Sequence, residues 1–284
     1  MKPHLRCPFC EGQSAVCNGT IKESKAKVKK YLCMSCGRFC STYSQTIFWF
    51  GHYPPSAVLT AVEFRMRYEL SGSKISRIFK EKFGTEIPKS TINGWVRDFG
   101  GWLEELQSKF KPNFSKVWHA DEIFVKHIVK IDGARHRFFD YLWVVYDDQL
   151  NIVAVHVSEK RDCQNAKIAL QKAKSYAGFS PRILVTDGLQ AYAKACYDVF
   201  GRKTLHEISH FAFEQFFWNG KFWPLSNNKA EHGNTFIRSF LRSLKGYKAL
   251  QCGQRLLGLF SWFFNFRNSD YLARAMLGAL APRA

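Results

Sequence analysis

From Val117 to the C-terminus the sequence alternates strand-like and helix-like segments in an order that few folds accommodate. Three runs rich in β-branched and aromatic residues come first, and the turn residues Asp147-Asp148-Gln149 separate the last two. A helical segment, a short apolar strand and further helices follow. The predicted strands are Val117–Val129, Phe138–Tyr146, Ile152–Val157, Arg182–Asp187 and a weak strand near Lys203–Ile208. The predicted helices are Cys163–Tyr176, one that begins at Gly188, and Ser226–Leu244.

A meander of three strands, then a helix, then strands that alternate with helices is the element order of an RNase H-like fold. We therefore predict an α/β RNase H-like catalytic domain over residues 113–284, with a mixed five-stranded sheet and basic helices at its C-terminus. In this fold the first and fourth strands are neighbours at the centre of the sheet. That arrangement would bring Asp121, in the first strand, beside Asp187, at the end of the fourth.

Asp121, Asp187 and Glu231 are the candidate catalytic residues and the candidate ligands of catalytic metal ions. Glu231 lies near the start of the predicted helix Ser226–Leu244, which would pack against the same edge of the sheet. Mg²⁺ is a hard ion that proteins hold through carboxylates together with phosphate oxygens. Two such ions about 4 Å apart stabilise the attacking and leaving oxygens of a phosphoryl displacement, so no serine or cysteine nucleophile is needed.

Each acid also has a purely structural interpretation. Glu122 adjoins Asp121, but strand alternation places the two side chains on opposite faces, so one of the pair must be chosen and alternation alone does not say which. Asp187 ends a strand and would serve as the cap of the next helix, and Glu231 fits a capping box with Asn228. The acids are far apart in sequence, so no local motif decides between these interpretations.

The first 45 residues contain two Cys-x-x-Cys pairs, Cys7 with Cys10 and Cys33 with Cys36. Two such pairs supply four thiolates for a tetrahedral, closed and therefore structural Zn²⁺ site. Zinc binding would supply most of the folding free energy of so small a segment, which we predict to be a zinc ribbon over residues 1–45 with a lysine-rich hairpin. Cys40 is either a substitute ligand or, as we favour, a packed thiol.

Residues 46–112 are predicted to form an all-α helix-turn-helix DNA-binding domain. Apolar residues recur at helical spacing from Pro55, Ser73 would cap a second helix that ends near Gly84, and Pro88 precedes a third. In a helix-turn-helix the second of two short helices enters the major groove of DNA. The candidate DNA-binding residues of that helix are Lys89, Ser90, Thr91, Asn93 and Arg97. A helical linker without contact to DNA is the alternative interpretation.

The chain is strongly basic, with 42 Lys and Arg against 23 Asp and Glu and a formal net charge of +19. A charge of this size in a folded chain favours a polyanionic partner, usually nucleic acid, over a cationic surface that only aids solubility. The predicted helix of Glu231 repeats this bias along one stripe, opposite an apolar face. Helical spacing aligns Glu231 with four candidate DNA-binding residues, Asn234, Arg238, Arg242 and Lys245.

Cellular location can be argued from the same sequence. The nine cysteines indicate a reducing compartment, because no secretory signal precedes the first of them. The longest apolar stretch, Leu256–Phe264, is shorter than a membrane span. We therefore expect a cytoplasmic protein without a membrane partner.

Three short motifs surround the candidate acids: Trp118-His119-Ala120-Asp121-Glu122, Thr186-Asp187-Gly188 with Tyr192, and Asn228-Lys229-Ala230-Glu231-His232. Together they resemble the DD-E transposases of bacterial and archaeal insertion sequences, most closely the insertion-sequence-six family, over roughly residues 117–268. The resemblance implies a retroviral-integrase-type catalytic core and two Mg²⁺ or Mn²⁺ ions per active site, held by Asp121, Asp187 and Glu231. It also implies binding of double-stranded DNA, as terminal inverted repeats and as target, by a homodimer or higher homo-oligomer near the prokaryotic nucleoid.

The interval between Asp187 and Glu231 is longer than is common in that family, and an aromatic segment over residues 211–223 resembles an insertion there. We interpret this segment as a hairpin packed on the core or as a contact between protomers. A stacking surface for an unpaired base is the alternative. Glu214 lies within the segment without an Asn-rich helix start, so we prefer Glu231 as the third acid.

Two functions other than DNA transposition fit the same sequence. One is a zinc-ribbon and helix-turn-helix regulator that binds DNA and uses its C-terminal domain only to dimerise, although an intact set of acids disfavours it. The other is an RNase H-like nuclease that lacks strand transfer. The sequence does not exclude this nuclease, because hydrolysis and strand transfer use one site.

Overall fold

A computed structural model describes residues 6–21, 28–41, 44, 53–209, 215–218, 220–224, 227–244 and 250–267. The chain divides into two compact units. The first contains the described residues before Met66 and the segment Gly72–Trp102, and the second contains Met66–Ser71 and the described residues from Leu103 onward. The domain boundaries predicted from the sequence, at residues 45 and 112, stay predictions.

The first unit begins with a small antiparallel sheet of β1 (Ala15–Ile21), β2 (Val28–Cys33) and β3 (Phe39–Ser41). The hairpin predicted for this region is confirmed, because β1 pairs antiparallel with β2. Its lysine-rich turn, residues 22–27, lies outside the described residues. Gly37, between β2 and β3, has a φ of 68°, the left-handed conformation that glycine adopts without strain.

Three helices follow: α1 (Pro55–Met66), which belongs to the same unit except for its last residue, α2 (Gly72–Phe83) and α3 (Lys89–Gly101). α2 ends directly before Gly84, whose φ of 60° suits the end of a helix. α3 begins directly after Pro88, as the sequence predicts. The two helices bury apolar side chains that include Ile75, Phe79, Ile92, Val96 and Phe99.

The second unit begins with the short helix α4 (Leu103–Lys109) and continues with a large sheet. The strands of this sheet are β4 (Val117–Ile131), β5 (Ala134–Asp147), β6 (Ile152–Ser158), β7 (Ile183–Thr186) and β8 (Leu205–Ile208). The remaining elements are α5 (Cys163–Ala177), α6 (Gln190–Phe200), the hairpin β9 (Gln215–Trp218) and β10 (Lys221–Pro224), α7 (Asn228–Leu244) and α8 (Leu250–Asn265).

The large sheet has the strand order β6-β5-β4-β7-β8. β4, β5 and β6 form the antiparallel meander, whereas β7 pairs parallel to β4 and β8 pairs parallel to β7. The helices α5 and α6 make the crossovers that parallel strands require. This is the RNase H-like topology, so the predicted fold class of the catalytic domain is confirmed.

One face of the sheet is covered by α5 and α6. Trp118 and Ala120 of β4 and Trp143 of β5 are fully buried in this layer. α5 presents four small or branched apolar residues to them, Ala166, Ala169, Leu170 and Ala173, and the alanines allow the helix to lie close to the large indole rings. Asp162 caps α5 by accepting a hydrogen bond from the Asn165 N–H at 2.9 Å.

The other face is approached by α7, and one glycine sets how closely. A Cβ on Gly233 of α7 would stand 2.4 Å from the ring of Tyr146 in β5. Any larger residue would therefore push α7 away from the sheet. This close contact positions the first turn of α7, which carries Glu231.

The edge strand β6 is covered by side-chain amides of α8. Asn265 accepts from the Ile152 N–H at 2.7 Å and donates to the Ile152 carbonyl at 2.8 Å. Gln254 likewise accepts from the Val157 N–H and donates to the Val155 carbonyl, both at 3.0 Å. These amides occupy the backbone groups that an open strand edge would offer to another chain.

The turn between β5 and β6 explains two acids that are not part of the site. Asp147 is fully buried and accepts hydrogen bonds from the N–H groups of Ser115, Gln149 and Asn151. Asp148 lies in the turn, as predicted, whereas Asp147 is the last residue of β5 and holds the turn through these hydrogen bonds.

In the described part of the chain, no helix has both the length and the apolar character that a membrane span needs.

Candidate active site

Asp121 and Asp187 meet because their strands are parallel neighbours. Ala120 of β4 pairs with Thr186 of β7, and each acid is the next residue of its chain. Ligand oxygens of Asp121, Asp187 and Glu122 all lie within 4.8 Å of one another. The predicted adjacency of the first and fourth strands is therefore confirmed, and it produces an acidic cluster of the size that holds a divalent cation.

Asp121 is held by two hydrogen bonds. Its Oδ1 accepts from the Glu122 N–H at 2.9 Å, and its Oδ2 accepts from the Asn234 side-chain amide at 2.7 Å. Burial raises the pKa of Asp121 to about 7; the Glu122 N–H opposes the rise, and the carboxylates of Glu122, Asp187 and Glu231 add to it. Close carboxylates of this kind repel one another unless a proton or a cation neutralises them.

Glu122 projects from the opposite face of β4, as strand alternation predicts, and both of its oxygens are engaged. Its Oε1 accepts hydrogen bonds from Nε and Nη2 of Arg161, the first at 2.6 Å. Its Oε2 accepts from the Tyr192 hydroxyl at 3.2 Å. Arg161 Nη2 also lies 3.9 Å from Asp187 Oδ2. Glu122 therefore holds the Arg161 guanidinium beside the cluster. Because both of its oxygens are engaged, it is a poor candidate for a metal ligand.

The sequence prediction missed Arg161. It lies in the loop between β6 and α5, where no helical or strand periodicity indicates which side chains point inward. Tyr192 is fully buried in α6 and was noted only as part of a motif. The one sequence signal for Arg161 and Tyr192 is Glu122. An acid in a predicted strand needs a countercharge if the fold buries it.

Glu231 lies in the first turn of α7 and is exposed. Among the described residues it is not part of the close cluster of three acids. Its charge nevertheless reaches the cluster, since it contributes to the raised pKa of Asp121. The structure thus brings Asp121 and Asp187 together with Glu231 nearby, and its role as third ligand stays a prediction.

The basic stripe predicted along α7 is only partly exposed. Arg238 and Arg242 are exposed, whereas Lys245 lies outside the described residues. Asn234 is fully buried and bonded to Tyr146 and Asp121. The prediction that Asn234 contacts DNA is wrong, because its side chain faces the sheet and both ends of its amide are occupied by protein.

The predicted DNA-reading residues of α3 are accessible. Lys89, Ser90, Asn93 and Arg97 are exposed and Thr91 is partly exposed. Arg97 has only a loose ion pair, 3.8 Å from the carboxylate of Asp98. Contact of these residues with DNA stays a prediction.

Four of the six cysteines of the first unit form a second candidate metal centre. The Sγ atoms of Cys7, Cys10, Cys33 and Cys36 all lie within 4.8 Å of one another. The Cys7–Cys36 and Cys10–Cys33 distances are both 3.6 Å. Zn–S bonds of about 2.3 Å in a tetrahedron place the sulfur atoms roughly 3.8 Å apart, so this donor set fits Zn²⁺.

Backbone groups prepare one of these thiols for metal. Burial works against ionisation of Cys33, but the N–H groups of Cys36 and Ser35 lower the pKa of Cys33 to about 6. By contrast, burial raises the pKa of Cys40 to about 11, and the neighbouring cysteines raise it further. Cys40 is buried but is not part of the close group of four thiols, which supports our prediction that it is a packed thiol and not a ligand.

We expect removal of zinc to unfold the zinc ribbon of the first unit. A purified chain should contain one zinc per protomer, and a strong chelator should abolish the β-structure of the ribbon, because its described residues bury little apolar surface beyond the cysteines. Cys33→Ser should have the same effect. Cys17→Ser is the matched control, since Cys17 is exposed and outside the cluster. A folded, zinc-free ribbon would contradict the assignment.

An RNase H-like sheet with two carboxylates on neighbouring central strands is typical of domains that transfer phosphoryl groups at an acidic site. Comparison with protein families agrees: the DDE domain of the IS240 transposase type matches residues 115–269. The chain belongs to this family, the DDE transposases of the insertion-sequence-six type. The resemblance of the three motifs to DD-E transposases is therefore confirmed.

Curated relatives and solved structures show more distant similarity. The transposase for insertion sequence-like element IS431mec of Staphylococcus aureus is 24% identical over 140 residues, which cover 49% of this chain and 58% of the relative. The transposase for insertion sequence element IS257 in transposon Tn4003 of Staphylococcus aureus has the same identity and coverage. The chain thus spans 58% of the length of these relatives. The HTLV-2 integrase catalytic core domain in complex with magnesium aligns with a TM-score of 0.31 and 16% identity, over 60% of this chain and 84% of that one.

Proposed function

We propose that the protein is a DNA transposase. It binds terminal inverted repeats, cleaves at the ends of its element and joins the 3′-hydroxyl ends to target DNA by two-metal-ion phosphoryl transfer. The observation that carries this proposal is the meeting of Asp121 and Asp187 on adjacent central strands. Membership in the DDE family supports it.

The acids fit divalent metal ions. Asp121, Asp187 and Glu231 would hold Mg²⁺ or Mn²⁺, two ions per active site. When bound, such ions activate the attacking oxygen and neutralise charge on the phosphate. Burial, and to a smaller extent the neighbouring carboxylates, raises the pKa of Asp121, so a bound cation would stabilise its charged form. Oxygen-only donors suit a hard cation.

The chain's own residues prepare this site. Asn234 and the Glu122 N–H hold the Asp121 carboxylate in one orientation. Glu122 holds Arg161 next to Asp187, where the guanidinium limits repulsion between the acids. No protein nucleophile is needed, since the attacking group comes from water or from a DNA 3′-hydroxyl.

DNA is the proposed partner at two places. α3 would read the terminal repeat through its exposed polar residues, and Arg238 and Arg242 of α7 would contact phosphates beside the active site. The net charge of +19 supports a polyanionic partner. We propose a homodimer or higher homo-oligomer, because two element ends must be processed together, and a cytoplasmic, nucleoid-associated location.

A strand-transfer assay tests this function. Duplexes that carry the element's pre-cleaved end are incubated with the full-length chain, target DNA and Mg²⁺ or Mn²⁺. We expect joined products that disappear when EDTA is added. Hydrolysis of ends without joining would favour the nuclease, and sequence-specific binding without either reaction would favour the regulator.

We expect Arg97→Ala to weaken binding to the terminal repeat. The loss of a base or phosphate contact from α3 costs about 1–3 kcal/mol, which lowers affinity roughly 5- to 150-fold. Arg77→Ala is the matched control, because Arg77 is equally exposed on α2, with 70% of its side chain accessible against 71% for Arg97. Gel-shift titration at fixed salt measures the affinity of both variants for the terminal repeat. Equal losses of affinity would mean that only net charge matters, and would contradict a specific contact from Arg97.

A further inference from the structure

A buried hydrogen-bond chain links three elements around the active site. The Tyr146 hydroxyl in β5 donates to Asn234 Oδ1 in α7 at 2.9 Å. The Asn234 Nδ2 then donates to Asp121 Oδ2 in β4 at 2.7 Å. Tyr146 and Asn234 are both fully buried, so water does not compete for either bond.

The order of donors gives this chain a direction. An asparagine amide has one acceptor end and one donor end, and either can face a neighbour. Because Tyr146 donates to the oxygen of Asn234, the amide nitrogen is left to face Asp121. With the amide reversed, its oxygen would face the carboxylate and repel it. Burial raises the pKa of Tyr146 well above its usual value, which keeps the hydroxyl a donor.

The same contact fixes the position of α7. Gly233 leaves no room for a Cβ against the Tyr146 ring, so the ring lies directly on the helix backbone. Asn234 follows Glu231 by three residues, which is almost one helical turn. Rotation of α7 about its axis would therefore break the bond to Asp121 and displace Glu231 together.

The hydrogen bonds leave Asp121 free to bind a cation. Oδ1 accepts one bond from the Glu122 N–H and Oδ2 accepts one from Asn234. A carboxylate has about four acceptor positions, so each oxygen keeps one for a metal ion. The direction of those remaining positions is set by the two donors.

We propose that Tyr146 and Asn234 are positioning residues that orient Asp121 for metal binding and align Glu231 with it. This inference rests on the proposed metal-dependent function. It assigns to Asn234 a role inside the site in place of the DNA contact that its sequence position suggested. Outer hydrogen-bond partners of metal ligands typically contribute 10- to 100-fold to metal affinity or activity.

The test is direct Mn²⁺ binding to the full-length, zinc-loaded chain without DNA, measured by isothermal titration and by the electron paramagnetic resonance signal of free Mn²⁺. We expect Asn234→Leu to weaken binding about 10- to 100-fold and Tyr146→Phe to weaken it less. The double variant should be no worse than Asn234→Leu, because Tyr146 acts only through Asn234. Circular dichroism and thermal melting confirm that each variant is folded.

Tyr176→Phe is the matched control. The Tyr176 hydroxyl is buried and has no hydrogen-bond partner among the residues that the structure describes, so its removal should leave Mn²⁺ affinity unchanged. If Asn234→Leu does not fold, Tyr146→Phe decides alone, since it keeps the ring against Gly233. Wild-type affinity in a folded Tyr146→Phe or Asn234→Leu protein overturns the positioning role.

One further variant separates this inference from the proposed function. Asp121→Asn should lose most Mn²⁺ binding if the metal site is where we propose it. Loss in Asp121→Asn with no change in Tyr146→Phe overturns the positioning role and leaves the transposase intact. Unchanged binding in Asp121→Asn overturns the metal site, and the positioning role with it.

Discussion

Asp121→Asn is expected to abolish strand joining while the protein remains folded. Asparagine has nearly the same shape as aspartate but contributes no charge to a metal site. Loss of several kcal/mol of transition-state stabilisation lowers the rate about a thousandfold or more. The measurement is joining of pre-cleaved ends in Mg²⁺, followed over time for the wild type and the variant.

The same substitution should not destabilise the fold at high pH. The folded-state pKa of Asp121 is raised to about 7 from an ordinary value of 3.8. As pH rises from about 4 to 7, the unfolded chain loses this proton while the folded chain keeps it, so stability falls across that window. Removing the carboxylate removes this penalty, on the order of 4 kcal/mol at most.

One lost hydrogen bond offsets part of that gain. The single oxygen of an asparagine can accept from Asn234 or from the Glu122 N–H, but not from both, which costs about 1 kcal/mol. We therefore expect equal or greater stability of Asp121→Asn at pH 8 and little gain at pH 4, measured by denaturant unfolding. Destabilisation at pH 8 would contradict the crowded acid site.

Glu231→Gln tests the third acid separately. Glu231 is exposed, so the variant should keep wild-type stability and lose strand joining as severely as Asp121→Asn. Glu104→Gln is the matched control, because Glu104 is an exposed acid in the first turn of another helix. Full activity of Glu231→Gln would remove it from the site, and Glu122 would become the third acid to examine.

Much of this site could be predicted from sequence because its framework depends on local patterns. Runs of β-branched and aromatic residues predicted the strands, and the RNase H-like order of those strands predicted that Asp121 would meet Asp187. Two Cys-x-x-Cys pairs similarly predicted the cysteine cluster, because each pair is a local turn. These inferences need only the period of a segment and the order of segments.

The rest depends on tertiary contacts that periodicity does not record. Helical spacing correctly placed Asn234 on the polar stripe of α7, but it could not reveal that the stripe meets the sheet at this one position. Arg161 lies in a loop and had no pattern at all. In both cases the partner that explains the residue, Asp121 or Glu122, is distant in sequence.

Glu122 is another residue whose role in the site depends on a tertiary contact that periodicity does not record. Strand alternation correctly placed it on the face opposite Asp121. The sequence interpretation left Glu122 out of the site because the resemblance to the transposase family selected Asp121. The end of β7 nevertheless brings Asp187 close to both acids. A residue can face away from a neighbouring side chain and still adjoin the same cluster when the next strand ends beside it, as β7 does at Thr186.

The Arg161–Glu122 ion pair yields the largest stability effect that we expect. The Glu122 side chain is 3% exposed, whereas that of Arg161 is 36% exposed. Arg161→Met would leave a buried carboxylate without its countercharge, which typically costs 3–5 kcal/mol, out of about 5–15 kcal/mol for a whole domain. Glu122→Gln should cost less, because water can hydrate the partly exposed guanidinium.

The loss in Arg161→Met should depend on pH. Burial already raises the pKa of Glu122 above its ordinary value, and Arg161 opposes that rise. Without Arg161 the folded-state pKa rises further, so the variant loses stability relative to the wild type as pH increases above the ordinary value for glutamate. At low pH both states bind the proton and the two proteins should differ least.

Lys167→Met provides the matched control for this comparison. Lys167 pairs with Asp198 at 3.3 Å, but both side chains are about 30% exposed, and such surface pairs contribute about 0–1 kcal/mol. Denaturant unfolding of both variants at several pH values gives the comparison. Arg161→Met could lower the free energy of unfolding no more than Lys167→Met does, at every pH. In that case Glu122 does not depend on Arg161 for its charge, and the role that we give this pair beside Asp187 is wrong.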